Sequence, residues 1–292
     1  MTPTPTKHTA ELRCYLCGSA SVRPVLSDTA FSRRYTSYWC DSCDLMQTLG
    51  DVDAVSPDYV DLKDEAIDDT HLFIQTKHKY PAFAQWQRLV HRHRPAASRG
   101  HALRLLDIGC GVGGFLDFAK QGGAEVYGFD ASPVQVRRCQ LRHPSVRLSY
   151  SIDDYFSQLG QRPTLDAITM WDVFEHIREP LDFLAGVRQA CAPETLMFVS
   201  VPSGAINPAK IAIGKMTGRQ PGLIPWEHVF YYTKSSLPAM FDRAGFEVLD
   251  VGAVAIYQRP PSVHEFVRRA AHGLLAPTRY AFQIYALVRV RG

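Results

Sequence analysis

The 292-residue sequence has no run of apolar residues long enough to cross a bilayer, which takes about 18 or more in succession. That absence argues against an integral helical membrane protein. The first ten residues, MTPTPTKHTA, lack the apolar stretch behind a charged head that a secretory leader carries, and read as a disordered Thr/Pro-rich tail. Neither sign of charge is in excess: the formal net charge of +3 selects no class of partner. Locally, though, one sign goes missing. Residues 71–104 contain no acid against seven Lys/Arg and five His, whereas residues 51–69 hold eight acids and one lysine. Such neighbours either neutralise each other or leave a face for an anion. No internal repeat is present.

Cysteine is scarce and unevenly placed. Four of the seven form two CxxC pairs, Cys14/Cys17 and Cys40/Cys43, with 22 residues between the pairs. Cys110, Cys139 and Cys191 follow no pairing pattern. An odd count of this kind does not build a disulfide framework; it fits a reducing compartment, and a cytoplasmic protein is expected. Two tight CxxC turns supply the four thiolates of a tetrahedral zinc site. With no open coordination position, that zinc is structural rather than catalytic. Within residues 11–50, short strands at Val22–Val25 and Tyr35–Trp39 cannot form a core alone, so the ion would contribute much of the folding free energy.

Residues 51–100 begin as an acidic linker. From Asp69 to about Arg94 the pattern turns helical, with Phe83, Trp86, Leu89 and Val90 on one face, until Pro95 and the small residues up to Gly100 end it. Residues 101–292 then alternate. Strands are predicted at Leu103–Ile108, Glu125–Phe129, Val146–Tyr150, Asp166–Met170, Leu196–Val201 and Phe246–Val254. Helices are predicted from Phe115, over Pro133–Leu141, Pro180–Ala190 and Ser235–Ala244. A last strand at Ile284–Val290 completes the set. The expectation is an α/β fold: a Rossmann-like, doubly wound seven-stranded sheet with a small N-terminal zinc-ribbon-like module.

The segment LLDIGCGVGGFL, residues 105–116, runs a buried strand into a glycine-rich turn and then a helix. Gly109, Gly111 and Gly113 allow backbone to approach a ligand where a Cβ would collide. Such a turn also serves dinucleotides, but Asp130 follows 17 residues after Gly113 at the end of the next strand, where an acid can bond both hydroxyls of a ribose. The whole segment resembles motif I of the class I S-adenosylmethionine-dependent methyltransferases, and LDAITMWDVFEHIREP, residues 165–180, resembles their fourth strand and the loop after it. The likeness implies that cofactor and places Asp107 near its methionine amino group. It sets Asp130 on the ribose, Ile152 and Asp153 beside the adenine, and Trp171 at the pocket edge.

Between the fifth strand and the next helix lies a long Gly/Pro-containing span, residues 202–234, read as a lid over the substrate. Within it, WEHVFYY, residues 226–232, is similar to a segment of sugar C-methyltransferases, which also carry an N-terminal zinc module. That similarity implies roles in proton transfer for Glu227 and His228. Trp226 stands where that family has a further His, and the chain lacks its C-terminal domain. His176 is placed near the cofactor edge, as a third catalytic candidate or as packing at a helix start. Histidine suits a base at neutral pH.

Val263, Phe266, Val267, Ala270 and Leu274 share one narrow face near the C-terminus, where residues 256–292 hold six Arg and one acid. That face either packs on the sheet or meets an anionic lipid surface or a lipid-linked substrate. Three functions remain at this point. The first is a methyltransferase for a small-molecule acceptor, by O- or C-methylation of a sugar, glycan precursor or natural-product intermediate. The second is an RNA methyltransferase gripping its substrate through the zinc module and residues 71–104. Residues 1–50 carry only five Lys/Arg against four acids, and no Asn-Pro-Pro-Tyr motif follows the fourth strand, both of which speak against nucleic acid. The third is a non-catalytic homologue that binds the cofactor, disfavoured by the intact glycines and Asp130.

Overall fold

A computed structural model describes residues 12–30, 33–49, 78–94, 100–255 and 262–291. The Thr/Pro-rich tail, the acidic linker and the first part of the helix expected from Asp69 lie outside the described residues.

The chain opens with three antiparallel strands, β1 (Val22–Ala30), β2 (Arg33–Cys40) and β3 (Met46–Leu49). Helix α1 (Tyr80–His93) precedes an alternating series: β4 (Arg104–Ile108), α2 (Gly114–Gln121), β5 (Glu125–Asp130), α3 (Pro133–Gln140), β6 (Arg147–Leu148), α4 (Ile152–Leu159) and β7 (Ala167–Trp171). After a 3₁₀ turn at Phe174–His176 come α5 (Pro180–Ala190), β8 (Leu196–Pro202), α6 (Asn207–Thr217), β9 (Phe230–Tyr231), α7 (Ser236–Arg243), β10 (Phe246–Ala253), α8 (Val263–Leu275) and β11 (Gln283–Val290).

Seven of the strands form one sheet in the order β10-β11-β8-β7-β4-β5-β6. Pairs among β4 to β8 are parallel, and β11 is inserted antiparallel between β8 and β10. The doubly wound seven-stranded sheet is therefore as expected, and its last strand runs antiparallel. The period-2 alternation of a strand decides which face each side chain covers. Leu105, Ala167, Leu196 and Phe198 join Phe83, Trp86, Leu89 and Val90 of α1 on one face. Leu106, Ile168, Met197 and Val199 join α4, α5 and α7 on the other. Both faces are covered, which is why these strands read as continuous apolar runs.

Differences from expectation have local causes. The third strand shrinks to Arg147–Leu148, because Ser149 and Ser151 divert the chain into α4: the Ser151 hydroxyl accepts from the Asp154 amide as an N-cap. The span 202–234 is not one irregular loop. It contains α6, and then β9, which pairs with β3. The N-terminal segment and β9 thus share one four-stranded sheet, β1-β2-β3-β9, which crosses the boundary expected at residue 50. Leu16, Cys40 and Leu45 are buried in the same cluster as Phe174, Phe230, Tyr232 and Phe241.

The apolar stripe on α8 does not pack on the sheet. Val263, Phe266, Val267 and Leu274 are all exposed, and neither sheet-facing cluster includes an α8 side chain. The faces it would need are already covered by α7 and by the aromatic cluster around α1. Among the described residues no helix is long and apolar enough to cross a membrane.

Candidate functional site

The strand β4 ends in the glycine turn, whose three glycines all lie at positive φ. Gly109 has φ +70°, and a Cβ on it would come within 2.4 Å of the Val173 side chain just beyond β7. Gly111 donates its amide to Asp130 Oδ2 at 2.8 Å. Gly113 is the N-cap of α2. The other Asp130 oxygen accepts from the Ser132 amide at 2.8 Å, so this one carboxylate ties the glycine turn to the start of α3. Asp107, in β4, is buried; burial pushes its carboxyl up to about 7, although Thr169 on β7 donates to it at 2.6 Å. A carboxylate so placed fits a cationic group such as an ammonium or a sulfonium.

The remaining residues assigned to the cofactor are arranged less uniformly. The Trp171 ring packs against Phe83, Phe115 and Phe198, yet its indole N–H is buried with no hydrogen-bond partner. Ile152 is buried in the core with Tyr155, and the exposed Asp153 pairs with Arg162 at 2.6 Å. No bond links Asp153 to the glycine turn. The cause is α4: its N-cap serine and first-turn acids direct Asp153 to solvent.

Beyond β7 the chain makes a tight corner at Asp172, whose φ is +59°. Lys79, at the start of α1, donates to Asp172 at 2.8 Å, and Gln283 on β11 donates to its other oxygen. The 3₁₀ turn follows and docks on residues 227–229. The Val229 amide donates to the Glu175 carbonyl at 3.0 Å, and His176 Nδ1 lies 2.8 Å from the Glu227 carbonyl. The His176 and His228 rings meet edge to face with centroids 4.8 Å apart. The three catalytic candidates of the sequence are thereby brought together. Sequence reasoning passed over their neighbour Glu175, whose side chain is buried and has neither oxygen hydrogen-bonded. Burial, with Asp172 and Glu227 nearby, raises its carboxyl well above the ordinary range.

The N-terminal module backs this corner directly. The Thr48 amide donates to the Val229 carbonyl at 2.7 Å, and the Thr48 hydroxyl donates to the His228 carbonyl at 3.3 Å. In the module itself, Cys14 and Cys43 sulfurs lie 3.5 Å apart and those of Cys17 and Cys40 3.6 Å apart, all four within 4.8 Å of one another. A tetrahedral site with zinc–sulfur bonds of about 2.3 Å has edges of about 3.8 Å. The four thiols fit that ion. The Cys43 thiol beside it lowers the pKa of the Cys14 thiol and favours the thiolate, the form a metal ligand needs.

Part of the basic stretch is used internally. Among its described residues, Arg94, His101 and Arg104 surround Asp166, and Lys79 meets Asp172. The compensating acids thus lie on either side of β7, in the sheet domain.

A doubly wound sheet with a glycine turn, a ribose-type acid at the end of the next strand and an antiparallel last strand defines the S-adenosylmethionine-dependent methyltransferases of the Rossmann-like class. The chain belongs to the family described as "Methyltransferase domain", which matches residues 75–251, more than half of its length. Curated relatives include the ubiquinone biosynthesis O-methyltransferase of Cereibacter sphaeroides, 33% identical over 102 residues, 34% of this chain and 40% of that protein. That of Xanthomonas campestris is 29% identical over 100 residues, 33% of this chain and 42% of its own length. The matched segment thus spans less than half of these relatives. Among solved structures, the putative methyltransferase in complex with the Haloferax volcanii Trm112 activator superposes with a TM-score of 0.52 at 14% identity, over 81% of this chain and 97% of that one. Magnesium protoporphyrin IX methyltransferase from Synechocystis PCC 6803, with bound S-adenosylhomocysteine, gives 0.47 at 16% identity, over 81% and 94%.

Proposed function

We propose that this enzyme methylates a hydroxyl or acidic carbon of a small-molecule acceptor, such as a sugar, a glycan precursor or another biosynthetic intermediate. When bound, the cofactor supplies an electrophilic methyl group on a sulfonium. Asp107, Asp130 and the turn of Gly109, Gly111 and Gly113 are the residues to hold it, with the unpartnered Trp171 N–H at the pocket edge. The observation that carries the acceptor assignment is the corner that follows β7. Glu175, His176, Glu227 and His228 converge there immediately beyond Val173, the residue that touches the Gly109 position. Groups that manage a proton belong beside the cofactor's methyl, and this cluster gathers carboxyls and imidazoles just beyond Val173. O-methyltransferases among the curated relatives support an oxygen nucleophile on a small molecule.

The four cysteines hold structural zinc in this reading, and a reducing cytoplasm suits them. RNA is disfavoured, because Lys79, Arg94 and Arg104 of the basic stretch already meet Asp172 and Asp166. The exposed stripe of α8, with Arg269 exposed beside it, matches an anionic lipid surface from which an apolar acceptor would be drawn. The test is transfer of labelled methyl from the cofactor to a panel of hydroxyl-bearing acceptors, nucleotide sugars and phenols included. Turnover with one class that falls at least a hundredfold in Glu227→Gln or His228→Ala, with cofactor affinity intact, supports the reading. Turnover unchanged in both variants refutes the placement of the acceptor.

A further inference from the structure

The cluster beyond β7 contains a group that a proton relay alone does not explain. Glu175 is 1% exposed, and neither carboxylate oxygen has a hydrogen-bond partner. Ionised, it is a buried unpaired charge; protonated, it is an O–H donor with no acceptor. Each form carries a cost of about 1–3 kcal/mol or more for the missing partner. Asp172 and Glu227 add negative potential around it, against Lys79. One ligand atom each from Glu175, His176 and His228 lies within 4.8 Å of the others. A site with bonds of about 2.1 Å needs separations of about 3.0–3.4 Å, so side-chain rotations that close the gap by about 1.5 Å suffice.

The hydrogen bonding of His176 is already that of a ligand. A carbonyl only accepts, so the Glu227 carbonyl fixes the His176 proton on Nδ1 and leaves Nε2 with its lone pair. Metal-bound imidazoles are habitually oriented this way, by a backbone carbonyl on the other nitrogen. His228 is held from behind by the β3 backing, through the Thr48 hydroxyl on its carbonyl.

We infer that Glu175, His176 and His228 form a second metal site, separate from the four cysteines, for a divalent first-row transition cation. One carboxylate and two imidazoles suit Mn2+, Fe2+, Co2+, Ni2+ or Zn2+ better than Mg2+ or Ca2+, which take oxygen ligands, or Cu(I), which takes sulfur. Three protein ligands leave positions open for an acceptor oxygen. This deepens the methyltransferase reading and rests on it for the role of the site. A hydroxyl oxygen held on the cation is acidified, and its proton passes to the Glu227 carboxylate, the acid of the cluster that is not a ligand. His228 then acts as a ligand, and Glu227 as the base.

The experiment titrates Co2+ into zinc-loaded protein, followed by calorimetry and visible absorption. Thiolate-to-cobalt charge transfer reports any cobalt that reaches the cysteines. The expected result is one site per chain, free of that band, with binding weakened at least a hundredfold in the isosteric Glu175→Gln and in His176→Ala. Affinity for S-adenosylhomocysteine is measured on the same samples to certify the fold. No cobalt binding by wild type with cofactor affinity intact overturns the site, as does equal binding by Glu175→Gln. Cobalt binding through Glu175 in a protein that takes no S-adenosylhomocysteine leaves the metal site standing and overturns the reading it serves.

Discussion

In the reading that the four cysteines hold zinc, removing it should loosen residues some 180 positions away while sparing the proposed cofactor pocket. Cys17 is the ligand to change, because its side chain is exposed and Cys17→Ser removes a thiolate at little packing cost. Structural zinc contributes about 10–16 kcal/mol to the folding of small modules at neutral pH. The apolar anchors that would remain, Leu16 and Leu45 in the main core and Val25, Trp39 and Met46 against Ile211 and Tyr231, contribute about 7–15 kcal/mol together at about 1.5–3 each. The ion's share is comparable to theirs, so its loss should loosen the module's hold. The β3–β9 pairing then goes, Met46 with Tyr231 and Gln47 with Phe230, along with the Thr48 bond to Val229. Hydrogen exchange reads this without knowing the acceptor. The Phe230 and Tyr231 amides should exchange about 100-fold faster, corresponding to about 2.8 kcal/mol of lost protection at 1.4 per tenfold. Zinc content should fall, and affinity for S-adenosylhomocysteine should stay within about twofold, since β4, β5 and the glycine turn belong to the other sheet. Unchanged exchange at these amides in zinc-free protein would refute the argument that the module braces the corner beyond β7.

Three further outcomes are expected. Asp130→Ala frees the Gly111 and Ser132 amides and removes the ribose acceptor; cofactor affinity should drop at least tenfold by calorimetry, the equivalent of one charge-assisted bond of about 1.5–3 kcal/mol, and unchanged affinity sinks the assignment. Asp107 is held at about 7 in the folded chain, against about 3.9 unfolded, so the folded state keeps its proton over that interval. Its contribution to the stability of cofactor-free protein is full below about pH 4 and lost as pH rises through 7; Asp107→Asn should flatten the decline in denaturation midpoint between pH 5 and 8, and an identical slope contradicts this. Vesicles containing anionic lipid should sediment the protein, and Phe266→Glu with Leu274→Glu should abolish sedimentation without altering cofactor affinity; sedimentation equal in the variant would show that the α8 stripe is not the contact.

The strand, glycine turn and following acid were legible because their signals are local in sequence. A strand, glycines at fixed spacing and an acid 17 residues on can all be read within one βαβ unit. Helix α4 had a readable start in Ser151 and the two aspartates after it, and a readable stop in Gly160, but the expectation of a longer third strand hid them. The β3–β9 pairing was not legible. It joins residues far apart in the chain through strands of four and two residues, too short for any periodicity to register. Glu175 escaped for a different reason. An acid next to a histidine in a loop motif reads as solvated, and only packing reveals that Phe174, Tyr232 and Phe241 have sealed its surroundings. The α8 stripe shows the opposite failure: its periodicity was read correctly, but periodicity does not say which surface it meets.

The central claim, that the β4 turn and Asp130 hold S-adenosylmethionine, is tested most directly by calorimetric titration of S-adenosylhomocysteine into the purified, zinc-loaded protein, with NADH as the control ligand. The account predicts one site of micromolar affinity, about −8 kcal/mol, for the first and no heat of binding for the second. No binding of S-adenosylhomocysteine, or comparable binding of NADH, would contradict it.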